Sequence, residues 1–289
     1  MADLQLKIDL HMHTTASDGT DTPEQLLRNV KAAGIGIFSV TDHDTAESVK
    51  TMRELIRDGD PIFIPGVEFS CKDENGKCHI LGYGFDPENP DVQKVVAEGH
   101  AIRMKKVRKR LDFLKSEFGI SFPEEDVSYL FSLNNPGKPH IADLMVKRGF
   151  AESKKQAFSE YLGRMSSESE HVKPQTAITA VLAGGGIPVL AHPFYGSGEE
   201  LIVGEDMEKR LRRLVEYGLR GIEAYYSGFS RKLQSEALSL AEKYDLMITA
   251  GSDYHGSNKL VKLCDTGLCE EKDYPAGLIR FLENFCKTD

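Results

Sequence analysis

No stretch of this chain is apolar for long enough to cross a bilayer, so a helical membrane protein is not expected. The residues up to Lys7 are few and polar and lack the apolar region of a secretory leader. The cysteines are Cys71, Cys78, Cys264, Cys269 and Cys286; none forms a Cys-x-x-Cys pair and their number is odd. That argues against a disulfide framework and for reduced thiols in a cytoplasmic protein. Phosphate-loop signatures are missing as well. Gly34 and Gly36 in AGIGIF do not complete a dinucleotide fingerprint, and Gly184, Gly185 and Gly186 lack the Lys-Ser/Thr ending of a nucleotide loop. There is no internal repeat and no low-complexity tract. Net positive charge is absent too: the formal charge is −9, which disfavours a long nucleic acid as partner. A small anion remains compatible, provided that cations line its pocket.

With 289 residues the chain is one large domain, or one domain carrying an insertion, and it can bury a substantial core. Its 40% hydrophobic and 28% charged residues are ordinary globular values. Short apolar runs bordered by Gly or Pro read as buried strands: LQLKIDL (4–10), IGIFSV (35–40), IFIPGVEFS (62–70), CHILGYGF (78–85), IPVLA (187–191), GIEAYY (221–226) and LMITA (246–250). Helical patterns lie between many of them. TPEQLLRNVKAAG has Thr22 as N-cap, Pro23 in the first turn and Gly34 at its end. AESVKTMRELIRDG is expected to end in the same way, at Gly59. Alternating strands and helices predict parallel strands in an α/β fold, and about seven strands point to a barrel-like closure, with an open sheet as the other arrangement.

The alternation stops in the middle. Residues 92–174 hold helical patterns and no convincing strand, and Met104, Val107, Leu111, Leu114 and Phe118 mark one helix face. KKVRKR (105–110) on the same helix reads first as a solvated face. The expected division is therefore a barrel from 1–91 and 175–289 and an inserted helical subdomain from 92–174.

Polar residues collect where strands end. His11 and His13 follow the first strand, Asp18 the loop after it, and Asp42 and His43 the second. Glu68 sits near the end of the third strand and His79 in the fourth; His192 follows IPVLA, and Asp253 and His255 follow LMITA. A parallel barrel gathers the C-terminal ends of its strands on one face. Residues two apart on an extended segment point the same way, so His11 can cooperate with His13, and Asp253 with His255. Each residue also has an ordinary role open to it: a satisfied core histidine, a turn for Asp18, a cap for Asp253, a paired carboxylate for Glu68. For all of these to hold together, and only at strand ends, is a less economical account than a metal site. Imidazoles with carboxylates suit Mn²⁺, Fe²⁺ or Zn²⁺, and the set exceeds what one ion accepts.

The motifs DLHMHTTASDG, TDHD, GVEFS, HILGYGF, LAHP and GSDYH, in that order over the whole chain, resemble those of the PHP (polymerase and histidinol phosphatase) phosphoesterases. The resemblance implies a distorted (β/α)₇ TIM-like barrel and two or three divalent ions, manganese first, with zinc or iron as alternatives. It implies ligands at His11, His13, Asp18, His43, Glu68, His79, His192, Asp253 and His255. One ion would use His11, His13, Glu68 and Asp253, a second Glu68, His79 and His192, a third Asp18, His43 and His255. GKPHIADLMVKRGF (137–150) followed by AFSEYLG (157–163) resembles the branch whose insert covers the metal site and acts on nucleoside and ribose phosphates. Lys138 and His140 match its basic substrate-contacting motif, and His140 is a candidate acid for the leaving group. Tyr225, Tyr226 and Ser227 follow another strand end and are candidate sugar or base contacts.

The expected activity is hydrolysis of small phosphate esters (AMP-like monoesters, 3′,5′-bisphosphates or cyclic phosphates) by a hydroxide bridging two ions. Two alternatives stand beside it. One is a 5′-3′ exonuclease or proofreading nuclease on short oligonucleotides. The other is a metal-binding module without catalysis. No membrane partner is expected.

Overall fold

The computed structural model describes residues 6–74, 76–165, 170–195, 201–268 and 273–286; Leu4, Gln5 and Cys269 lie outside them. Seven strands form one sheet in chain order: β1 (Lys7–Asp9), β2 (Ile35–Val40), β3 (Ile62–Asp73), β4 (Gly76–Tyr83), β5 (Ile187–Leu190), β6 (Gly221–Tyr226) and β7 (Met247–Gly251). The edges come back together. Leu10 N donates to Ala250 O at 2.9 Å and Asp253 N to His11 O at 2.8 Å, which nearly closes the barrel between β7 and β1.

The expected parallel sheet needs one correction. β4 runs antiparallel to both β3 and β5, while the other neighbours are parallel. The cause is the link between Asp73 and Gly76, far too short for the crossover that a parallel pair requires. β3 and β4 are therefore a hairpin.

The helices start and stop as their sequences dictate. In α1 (Pro23–Ala32) the Thr22 hydroxyl accepts from Gln25 N at 3.3 Å, and the Gln25 side chain accepts from Thr22 N at 2.8 Å. Gly34, at φ 68, turns the chain out of the helix. α2 (Glu47–Leu55) ends short of Gly59, because Ile56 adopts extended geometry. On the far side of the barrel, α7 (Pro174–Ala183), α8 (Gly204–Glu216), α9 (Arg231–Lys243) and α10 (Ala276–Leu282) complete the outer layer.

Two hydrophobic cores explain how the middle region is held. The larger one belongs to the barrel and includes Leu10, Val67, Ile80, Val189 and Ile222. The smaller one lies within residues 107–162 and includes Val107, Leu114, Leu130, Ile141 and Met145. It is built from the end of α3 (Pro90–Phe118), α4 (Glu124–Ser132), α5 (Lys138–Lys147), the short α6 (Lys154–Gln156) and the wider turn Ala157–Leu162. α3 serves both cores, since Val92, Val95 and Ile102 near its start pack into the barrel. Among the described residues no helix is long and apolar enough to cross a membrane.

Candidate metal centre

Five imidazoles converge on one carboxylate. His11 and His13, fully buried just after β1, each place Nε2 3.2 Å from Glu68 Oε2, and His43 Nδ1 lies 3.1 Å from the same oxygen. Glu68 Oε1 receives His79 Nδ1 at 2.7 Å and His192 Nε2 at 3.1 Å. Asp253, in the loop after β7, brings Oδ1 to 3.4 Å from His13 Nε2 and 3.7 Å from His11 Nε2. Asp18 stands 3.3 Å from His255 Nε2 and 3.7 Å from His13 Nδ1. Every residue named as a candidate ligand in the sequence thus meets the others in one place.

Proximity without hydrogen bonding is the decisive feature. His11 Nε2, His13 Nε2, His43 Nδ1 and Glu68 Oε2 are buried and have no hydrogen-bond partner. Leaving one buried polar atom unsatisfied costs about 1–3 kcal/mol, and these four atoms converge on one point. A cation between them removes that cost. Three overlapping sets bring their ligand atoms within 4.8 Å of one another: His13, Asp18, His43 and His255; His11, His13 and Asp253; His43, Glu68 and His79. These imidazole and carboxylate sets fit divalent cations. They differ from the implied sets: His13 and His43 are each shared by two sets, Glu68 falls only in the set with His43 and His79, and His192 falls in none.

Other residues orient the ligands. Glu223 on β6 accepts from His11 Nδ1 at 2.9 Å and from His192 N at 2.7 Å. The first bond fixes the His11 tautomer and leaves the Nε2 lone pair facing Glu68. His255 Nδ1 donates to Asp253 O at 2.8 Å and frees its Nε2 in the same way. Asp9 accepts from Ser252 N, Ser252 Oγ and Cys264 N at 2.9, 2.6 and 2.8 Å, tying β1 to the loop that carries Asp253. Asp42 accepts from Thr14 N, Thr14 Oγ1 and Ser17 Oγ at 2.8, 2.6 and 2.6 Å, holding the loop that carries Asp18. Gly251 has to be glycine: a Cβ there would lie 2.2 Å from His11 Cβ and 2.3 Å from Glu223 Oε1. His192 at φ 26 and Asp253 at φ 59 hold strained backbone, as residues at functional sites often do.

Electrostatics follow from the crowding. Burial alone would raise the carboxyl of Glu68, but His43, His11 and His79 outweigh it and hold it well below the usual range. Asp18 and Asp253 behave likewise, the first opposed mainly by His43 and His255, the second by Lys259 and His11. Burial would lower His13, yet its contacts with Asp253 and Glu68 push it up to about 9. His11 rises well above 6.5 against its burial, through Glu223, Glu68 and Asp253. Without metal, protons held on these imidazoles supply the positive charge that the carboxylates require.

A cavity of about 320 Å³ opens onto the centre, lined by His43, Glu68, His79, His192, Asp253, Tyr195, Tyr226, Gly228 and Lys259. Tyr226 donates to Asp253 Oδ2 at 3.0 Å, and Lys259 Nζ stands 2.6 Å from the same oxygen. Tyr225 is buried in the barrel core, and its neighbour Tyr226 lines the cavity. The register of β6 shifts between Glu223 and Tyr225, and this bulge puts Tyr226 on the side of Glu223. Ser227 is half-buried in the turn after β6 and is not among the lining residues. Lys138 and His140 open α5 above the site without lining the cavity. His140 Nδ1 accepts from Gly137 N at 3.0 Å, which leaves its proton on Nε2. Burial lowers His140 from 6.5, although Asp18 and Asp143 oppose this. The segment before α5 reaches the centre too: the Asn135 amide donates to His43 O.

A family model described as the PHP domain matches residues 9–169. The chain belongs to the PHP family. A 5′-3′ exoribonuclease of Haemophilus influenzae is 29% identical over 252 residues, 86% of this chain and 90% of its own length. A phosphoribosyl 1,2-cyclic phosphate 1,2-diphosphodiesterase of Eggerthella lenta is 31% identical over 258 residues, 86% of this chain and 94% of its own. Among solved structures, a protein of Bifidobacterium adolescentis provisionally described as a metal-dependent phosphoesterase aligns with a TM-score of 0.78 at 28% identity. That alignment covers 96% of this chain and 99% of that one. The PHP barrel explains why the ligand candidates are scattered: they follow β1, β2, β5 and β7 or lie within β3 and β4 of one nearly closed sheet.

Proposed function

We propose that this PHP phosphoesterase hydrolyses small phosphate esters of nucleosides or ribose, with two or three divalent ions held around Glu68. The observation that carries the reading is the convergence of His11, His13, His43, His79 and His192 on the two oxygens of Glu68, with orphaned atoms at the point of contact. Glu68, His11, His13 and Asp253 would hold one ion, and Glu68 with His79, His192 and His43 another. Asp18, His255, His13 and His43 have the donors for a third. The mixed imidazole and carboxylate set suits Mn²⁺, with Zn²⁺ or Fe²⁺ as alternatives. When bound, such ions supply positive charge for the phosphoryl oxygens and ionise water near neutral pH.

The chain's own residues do the rest. Glu223 and Asp253 O engage Nδ1 of His11 and His255, and so aim the Nε2 atoms of these rings toward the proposed ions. Lys259 and Tyr226 hold Asp253 Oδ2, so that Oδ1 stays turned toward His11 and His13. Tyr195 and Tyr226, with ring centroids 5.9 Å apart, give the cavity an aromatic wall suited to a sugar or base. His140, neutral at pH 7, serves as an Nε2–H hydrogen-bond donor to a phosphate oxygen rather than as a strong acid. Cys71 and Cys78 face each other across β3 and β4 without a disulfide, which suits a reducing compartment such as the cytoplasm.

Phosphate release by manganese-loaded protein tests the reading, with monoesters, 3′,5′-bisphosphates and cyclic ribose phosphates in one panel. Turnover of at least one class, abolished by chelation and restored by Mn²⁺, is the expected result. No release from any class, with metal bound, would overturn the small-ester reading and leave the short-oligonucleotide nuclease and the metal-binding module.

A further inference from the structure

A phosphate entering the cavity meets a wall of histidines, tyrosines and carboxylates, and one cation. Lys138, the lysine expected to contact substrate, opens α5 outside the lining. Among the described residues that line the cavity, Lys259 is the one lysine or arginine. It directly follows the short turn Gly256–Asn258, in the loop after β7 that also carries Asp253 and His255.

That turn is fastened on two sides. Asn258 Oδ1 accepts from Lys154 Nζ of the insert at 2.5 Å, and its Nδ2 donates to Asp18 O at 2.7 Å. Lys154 Nζ is paired in turn with Asp143 of α5 at 2.6 Å. From the barrel side, the Thr20 hydroxyl accepts from Ser257 N at 2.9 Å. The contact is close: a Cβ on Gly256, which stands at φ 64, would lie 2.0 Å from that hydroxyl. Lys259 therefore springs from backbone that both the barrel and the insert hold in place.

The ammonium itself is only partly engaged. It carries three N–H donors. One reaches Asp253 Oδ2 at 2.6 Å, and among the described residues Lys259 Nζ makes no other hydrogen bond or ion pair. The side chain remains 41% exposed while lining the cavity. Tyr226 also donates to Asp253 Oδ2, at 3.0 Å, so that oxygen does not depend on Lys259 alone. The other oxygen, Oδ1, lies 3.4 Å from His13 Nε2 and 3.7 Å from His11 Nε2, where an ion is proposed. Once an ion shares the carboxylate, less negative charge is left for Lys259, and an anion in the cavity makes up the difference.

We propose that Lys259 is a substrate-contacting residue whose ammonium donates to an oxygen of the phosphoryl group placed against the ions. The proposal rests on the phosphoesterase reading above and assigns a residue of the loop after β7 to the substrate. The insert acts on this contact from a distance, through Lys154 and Asn258. A lysine is a compact point charge with rotatable donors, so it favours the more highly charged of two esters. A monoester dianion gains more from it than a cyclic phosphate monoanion does.

The test compares the full-length manganese-loaded parent with Lys259→Gln and Lys259→Arg. Calorimetric titration with inorganic phosphate reads the contact without turnover. Lys259→Gln is expected to bind phosphate about 10–100-fold more weakly, the loss that goes with one hydrogen bond between charged groups. Its manganese affinity should stay that of the parent, because Tyr226 still holds Asp253 Oδ2. Lys259→Arg should recover part of the phosphate affinity. In turnover, Lys259→Gln should lose more kcat/KM on a phosphomonoester than on a cyclic ribose phosphate. Lys259→Met, of similar length and without donors, carries the same expectation should the glutamine variant misfold. Lower manganese affinity with unchanged phosphate affinity at metal saturation would make Lys259 a support for Asp253 alone and overturn the proposal. Hydrolysis by parent and variant, with equal phosphate affinity, would overturn it and leave the phosphoesterase reading intact. Weaker phosphate binding by the variant, with no ester hydrolysed by the parent, would sink that reading and leave the contact standing.

Discussion

Glu223 acts on the metal centre without belonging to it. Its carboxylate holds His11 Nδ1 and the backbone of His192, so it sets the aim of two proposed ligands. Glu223→Gln should keep the fold and weaken metal binding about 10–100-fold, the usual cost of removing a carboxylate that orients a ligand histidine. Manganese titration checks this, and unchanged affinity would remove Glu223 from the account. Glu223 was hidden in the sequence because it sits inside the apolar run GIEAYY. The available signal was a lone carboxylate on an otherwise apolar buried strand, which always needs a partner. His13 gives a second prediction. In the metal-free chain its pKa is raised from 6.5 to about 9, so the folded state keeps a proton that the unfolded chain releases. That contribution is fully present below 6.5 and is lost as pH rises through 9. The Tm of chelator-treated protein should therefore fall across this window. A Tm that rises or stays flat would contradict the assignment.

At the scale of elements, α3 joins two bodies of packing. Its first half belongs to the barrel core, and its second half to the core within 107–162. Leu114→Ala cuts into the second core only, at a cost of about 2–5 kcal/mol. Hydrogen exchange should accelerate over α4 and α5, and β1, β2 and β7 should keep their protection; acceleration everywhere would mean that the cores do not open separately. The strands and the ends of α1 were legible because β-branched runs, a capping box and Gly34 are local signals. Two features were not. The β3–β4 hairpin reverses the expected parallel order through a turn that the apolar runs do not record. The β6 bulge buries Tyr225 and puts Tyr226 on the cavity side, and alternation alone cannot count the extra residue. KKVRKR divides in a similar way: Lys105, Arg108 and Lys109 are exposed, as a solvated face requires, and Lys106 and Arg110 are half-buried.

For the whole molecule, closure of the sheet turns a list of distant histidines into a site. His11 and His255 lie near opposite ends of the chain, and the β1–β7 contacts put both beside His13. The ligand candidates were legible because so many imidazoles and carboxylates recur on or just after the strands, where their separate ordinary roles would all have to coincide. Lys259, Arg103 and Asp44 were not, because single charged residues on loops and helices are usually solvated. The proposed chemistry requires divalent ions bound around Glu68. Anomalous diffraction from crystals grown with manganese, recorded at the manganese edge, tests this most directly. The expected result is two or three peaks in contact with Glu68, His11, His13, Asp253 and their neighbours. An empty map around Glu68, with manganese present in the crystal, would contradict it.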